Sequence, residues 1–173
     1  QIYNEFSSGS QDVSAIRDFL RMLYKKPESQ LKYLLLFGDG SYDPKERVIN
    51  NTNFIPTYQS QNSTHPIYSY VTDDYFALLD DDEGLFNNTD QVDIGVGRFP
   101  VTTLNQADVL VKKVEEYISS EAFGSWRNNI VFVADDGDAQ DGNTHMWQAD
   151  SLANYISDNY DEINIHKIYL DNY

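Results

Sequence analysis

Cysteine is missing altogether from this sequence of 173 residues. Without a thiol the chain builds no disulfide framework, no thiolate zinc site and no cysteine nucleophile of its own. Basic residues are scarce: 12 Lys and Arg stand against 28 Asp and Glu, a formal charge of −16. A surface this acidic repels phosphate backbones and anionic headgroups, and the sequence has no basic patch to offset it, so nucleic acid is excluded as a partner. Long hydrophobic runs are absent too. The longest, residues 33–37, falls far short of the roughly 20 residues a spanning helix needs, and no charged-then-apolar leader precedes Gln1, so direct membrane insertion is not expected.

Aromatic side chains, by contrast, are plentiful, with 13 Tyr, nine Phe and two Trp. That is too much apolar surface for a disordered acidic tail, and a chain of this length buries roughly 70% of its unfolded surface. A folded domain is expected. The first residue is not Met and the last follows a strand-like run, so the sequence is expected to be a piece of something longer.

Hydrophobic spacing outlines the elements. Val13, Ile16, Phe19, Leu20 and Leu23 recur at helical intervals and predict a helix over 11–25, with Ser10 as its cap and Pro27 beyond its end. The apolar run 31–37 reads as a strand buried on both faces. Turn formers fill 41–69, with one short strand near Phe54, and 68–71 with 75–79 predict a hairpin ahead of a tight turn at 80–84. A short buried strand is expected at 92–96. Thr103 and Gln106 form a capping box for a helix from 104 to about 119, whose core stripe would be Ala107, Leu110, Val111, Val114, Tyr117 and Ile118. Residues 130–134 predict a strand, Met146, Ala149, Leu152, Ala153 and Ile156 a third helix, and 163–170 a last strand. Alternation of this kind predicts parallel βαβ units in a three-layer α/β sandwich.

In such sheets ligands sit beyond the carboxyl ends of the strands. Three loops, 38–43, 97–100 and 135–143, are expected to share that rim. The third holds Asp135, Asp136, Asp138 and Asp141, which either face water or cage a hard cation such as calcium, with Asp135 and Asp138 the possible ligands. The spacing is not that of an EF-hand, and Gly95-Val96-Gly97 is only half of a dinucleotide fingerprint. Aspartyl-phosphate chemistry at Asp135 or Asp136 lacks the Thr and Lys it requires. Of the three histidines, His166 alternates with Ile163 and Ile165 and is expected to face solvent, while His65 sits in a loop without a partner to activate. His145 opens the third helix, beside the acidic loop.

The segments YLLLFGDGSYDP, YSYVTDDYFALLD, VDIGVGRFPV and WRNNIVFVADDGDAQDGNTHMWQAD, in this order, resemble the gingipain family of cysteine peptidases over nearly the whole chain. More narrowly they are similar to its sortase-like branch, which serves the type IX secretion system. The resemblance implies a caspase-like α/β fold with a mainly parallel sheet, one complete subdomain over 1–125 and the truncated start of a second, catalytic one over 126–173. It implies a cysteine endopeptidase as parent, with the catalytic His and Cys downstream of Tyr173, so that the chain alone is inactive. It assigns Asp136, with Asp135 as the alternative, to orienting that His, and His145, Asp141 and Gln140 to the substrate pocket. Arginine-specific members carry an acidic side chain where His145 stands, so strict selectivity for basic residues is not implied. The expected partners are secreted proteins bearing a C-terminal sorting domain and other secretion components at the outer membrane surface, with no cofactor unless calcium. A non-catalytic caspase-like scaffold whose acidic rim binds calcium or a basic partner is the alternative.

Overall fold

A computed structural model describes residues 1–62, 64–65, 67–86, 89–137 and 142–170. The chain divides into two compact units, Gln1–Lys113 and Val114–Tyr173.

The first unit opens with the short helix α1 (Ile2–Phe6) and continues into α2 (Val13–Tyr24). Asp12, rather than Ser10, caps α2: its carboxylate accepts the Ser14 amide at 2.7 Å. Aspartate at that position satisfies an amide that has no partner inside the helix. Strand β1 (Tyr33–Phe37) follows, then a long loop ending in β2 (Tyr58–Gln59), which pairs antiparallel with β3 (Val71–Thr72). The expected hairpin thus forms between other residues. Asp74–Ala77 coils instead into a 3₁₀ turn, and 75–79 is buried throughout, with Phe76 and Leu79 fully enclosed.

Strand β4 (Gly95–Phe99) pairs parallel with β1, Tyr33 opposite Gly95 and Phe37 opposite Phe99. It begins three residues later than the apolar run at 92–96 predicts. Asp93 explains the shift, because its amide donates to Ala77 O at 2.9 Å while its carboxylate accepts the Leu79 amide at 2.9 Å and the Tyr24 hydroxyl at 3.1 Å. Those bonds tie 92–94 to the 3₁₀ turn and postpone sheet pairing. Gly95 then suits the first pair, since a Cβ there would stand 2.9 Å from the Tyr33 ring.

Ile16, Leu20, Leu36, Tyr75, Phe76, Ala77, Leu79 and Ile94 form the core of this unit between α2 and one face of β1. Only that face is covered. Leu36 is buried and Leu34 half-buried, but Tyr33, Leu35 and Phe37 are exposed, so β1 is not enclosed on both sides as its sequence predicts. Helix α3 (Leu104–Ile118) behaves likewise. Its capping box forms as expected, Gln106 N–H donating to Thr103 Oγ1 and Thr103 N–H to Gln106 Oε1, both at 3.2 Å. Yet none of its residues is buried, and Val111, Val114, Tyr117 and Ile118 of the anticipated core stripe are exposed. Caps and periodicity make the helix; among the described residues nothing covers its apolar face.

In the second unit β5 (Asn129–Ala134), α4 (Thr144–Asn159) and β6 (Asn164–Tyr169) form one βαβ unit. The strands pair in parallel from Asn129 opposite Asn164 to Ala134 opposite Tyr169. Ala153 of α4 is fully buried, and Ile130, Phe132 and Ala134 lie on the inner face of β5, whereas Val131 and Val133 are exposed. Leu152, expected in the core, is exposed as well. Ahead of β5 the Arg127 guanidinium lies 4.3 Å from the Tyr117 ring centroid, 4.4 Å from Phe123 and 5.2 Å from Trp126, and donates to Tyr117 O. A cation on the last carbonyls of α3 complements the helix dipole.

Candidate active site

The end of β5 and the start of α4 carry the residues that sequence reading singles out. Ala134 is buried as the last strand residue, and the chain then emerges into solvent, so Asp135 and Asp136 are both exposed. The Asp136 amide donates to the Asp135 carboxylate at 2.9 Å. This local ring engages the Asp135 carboxylate with the backbone of the next residue. Gly137 lies hard against the segment that leads into α4: a Cβ there would collide with the Asn143 side chain and stand 2.9 Å from Gly142 O. Asn143 O accepts the Trp147 amide at 2.9 Å, closing the first turn of α4. The close approach of Gly137 to Asn143 brings Asp136 near the helix start, where His145 is exposed. Gln140, Asp141 and Asp138 lie outside the described residues.

A network that sequence reading did not anticipate ties α4 to β6. Lys167 Nζ stands 2.6 Å from Asp150 Oδ1 and 2.6 Å from Asn154 Oδ1, Asn154 Nδ2 donates to Asp150 Oδ2 at 2.9 Å, and the Tyr169 hydroxyl is 3.4 Å from Asp150 Oδ1. The hydrogen bond from Lys167 holds the Asp150 carboxyl below the usual carboxylate range, and burial pushes the Tyr169 phenol up. A lone lysine on the strand 163–170, with Asp and Asn one turn apart on the preceding helix, was the available signal.

In the first unit two of the three expected rim loops meet. Gly38 N–H donates to Phe99 O at 2.9 Å and Asp39 N–H to Val101 O at 3.1 Å, past the carboxyl ends of β1 and β4. Arg98 holds this corner together. Its Nε and one terminal nitrogen each donate to the Asp73 carboxylate at 2.7 Å, and the remaining hydrogens reach Gly38 O at 2.8 Å, Ile55 O at 2.9 Å and Pro56 O at 3.3 Å. The loop 39–57 is irregular, as expected, but tightly bonded: the buried Asp43 accepts the Val48 amide at 2.7 Å, and Thr52 donates to Asp39. Beside it an open apolar cavity of about 370 Å³ is lined by Phe37, Phe54, Val101 and Leu104.

The other candidates are structural. His65 Nδ1 accepts the amides of Ile67 and Tyr68 at 3.1 and 3.2 Å, and its ring stacks on Tyr68 at 4.4 Å. His166 is exposed on β6. At the acidic turn Asp81 pairs with Arg21 and Lys25, while the neighbouring Asp93 carboxylate raises the Asp80 pKa. Among the described residues no group of three or more His, Cys, Asp or Glu could hold a metal ion. No helix in them is long and apolar enough to cross a membrane.

Comparison with known proteins completes the description. The sequence pattern of peptidase family C25 matches residues 1–173. No curated protein matches the chain. Among solved structures the fold is similar to that of the Arg specific cysteine proteinase gingipain R (RGPB), with a TM-score of 0.66 at 17% sequence identity. The similarity covers 96% of this chain and 33% of that one, so the present chain spans about a third of the length of the protein it resembles. At that identity the likeness establishes the fold, a caspase-like α/β arrangement with parallel strand pairs.

Proposed function

The chain belongs to peptidase family C25, and from that premise we propose that it forms the amino-terminal part of a gingipain-like cysteine endopeptidase of the PorU type. The observation that carries the proposal is the family match over all 173 residues, supported by the approach of the β5 end to the α4 start. Since the chain has no cysteine, the nucleophile comes from polypeptide outside it, together with the catalytic His.

In the proposed mechanism that thiol passes its proton to the imidazole and the thiolate attacks the peptide carbonyl. The imidazolium then protonates the leaving amine, and a thioester acyl-enzyme remains for water or a second amine to resolve. The role of Asp136, with Asp135 as the alternative, is to accept a hydrogen bond from the imidazole, fixing its tautomer and stabilising its charged form. His145 is the substrate-pocket residue, with Asp141 and Gln140 as further candidates for the same pocket. An imidazole offers no bidentate carboxylate to a guanidinium, so selectivity for arginine is weak. The substrates are secreted proteins with a C-terminal sorting domain, processed at the cell surface in association with the outer membrane and other secretion components. The chemistry needs no cofactor; calcium at Asp135 and Asp138 would be structural.

The polypeptide that carries this region tests the proposal. Its sequence should contain a Gly-His-Gly segment and an apolar strand ending in Cys beyond Tyr173, and it should cleave peptides. Replacing that Cys should abolish turnover, and Asp136→Asn should lower kcat by about 10²- to 10⁴-fold. A parent without Cys or His at those places would instead be a binding scaffold.

A further inference from the structure

Helix α4 rests on its strands through an apolar face in which Met146 and Ile156 are half-buried beside two alanines. Ala153 is fully buried and Ala149 half-buried, and such a face gives a non-directional contact that resists sliding weakly. The polar network supplies directional bonds between α4 and β6. Lys167 donates to two acceptors one turn apart on α4, Asp150 and Asn154, and so senses displacement along the helix axis. Asn154 Nδ2 closes the ring on Asp150, and the buried Tyr169 adds its hydroxyl. Tyr169 stands opposite Ala134 in the β5–β6 register, one residue before Asp135. The network therefore links the strand end that leads into Asp136 with the helix whose first turn holds His145.

We propose that Asp150, gripped by Lys167, Asn154 and Tyr169, is a positioning residue that sets the spacing between Asp136 and His145. What is positioned, a catalytic carboxylate and a substrate-pocket side chain, rests on the peptidase reading above; the positioning itself does not. The distinction from an ordinary ion pair matters. Exposed ion pairs contribute little to stability, and Asp150 and Lys167 are both partly exposed, so stability alone is a poor guide to this one. Geometry is a sensitive one, since a displacement of about 1 Å in a peptidase site can cost 10²-fold in rate.

Two measurements separate the claims. In this chain, Asp150→Ala and Lys167→Ala should each speed amide exchange at Trp147, whose hydrogen bond to Asn143 closes the first turn of α4, by about five-fold, with the amides of 154–159 changed less than two-fold. The double variant should exchange no faster than either single one, because both remove the same link. In the parent peptidase the same replacements should lower kcat/KM by about 10²-fold, with kcat falling as well as KM rising, and Lys167→Arg, which keeps a two-acceptor donor, should recover most of that loss. Unchanged exchange at Trp147 in folded Asp150→Ala protein overturns the inference, as does faster exchange spread evenly along α4. A wild-type parent that cleaves no peptide overturns the peptidase reading and leaves the exchange result to decide the positioning role.

Discussion

At Arg98 all five guanidinium hydrogens meet acceptors, two on Asp73 and three on carbonyl oxygens, in a side chain only 13% exposed. Removing it strands a largely buried carboxylate and three carbonyls. Arg98→Ala is expected to destabilise the chain by about 3 kcal/mol in urea titration, and Arg98→Lys to recover less than half, because an ammonium lacks the planar fork. Phe76, with no exposed surface, should cost about 3–5 kcal/mol on replacement by Ala. The acidic turn supplies a pH test. Asp80 is raised chiefly by the Asp93 carboxylate, so its cost is absent below the ordinary carboxylate pKa and grows as pH rises through the raised value. Asp81 is lowered by its hydrogen bond from Lys25, so its contribution is present above the ordinary pKa and lost as pH falls through the lowered one. Asp80→Asn should therefore stabilise and Asp81→Asn destabilise at neutral pH, and both differences should vanish in acid, as melting temperatures against pH will tell.

Among the elements, α3 and the turn after it show how a segment forms without being buried. The Thr103–Gln106 box starts the helix and the Arg127 clasp ends it, both through local bonds. The clasp has an optical signature because Trp126 is one of its rings. Arg127→Ala should shift Trp126 emission to the red and increase its quenching by acrylamide, measured in a Trp147→Phe background; an unchanged spectrum would mean that the rings hold together without the cation. Helix bounds were legible because caps and 3.6-residue periodicity are local. The start of β4 was not. Its shift from 92–96 to Gly95–Phe99 depends on Asp93 meeting Ala77, Leu79 and Tyr24, residues far from it in sequence.

Considered whole, the molecule combines a charge of −16 with apolar surfaces on α3, β1 and β5 that nothing among the described residues covers. Among the described residues strand β6 pairs with β5 alone and leaves its other edge open. Charge repulsion opposes association and open edges favour it, so salt decides between them. Light scattering after size exclusion should give a mass near 19.9 kDa at low salt and a rising one as salt and protein concentration increase. A constant monomer mass at high salt would show that the edge is guarded.

Composition, periodicity and ordered motifs were sufficient for the alternation of the longer helices and parallel strands, the capping box of α3, the absence of a thiol and the family, because each is a property of neighbouring residues or of their succession. For the candidate site, the family resemblance named Asp136 and His145, and the structure puts them just past β5 and in the first turn of α4. Tertiary structure alone decided that Gly137 meets Asn143, that Lys167 reaches Asp150 and Asn154, and that among the described residues one face of β1, one face of β5 and the stripe of α3 stay open. Those outcomes depend on which distant segments the folded backbone brings within bonding distance, and a pattern of hydrophobic spacing carries no record of the partner on the other side.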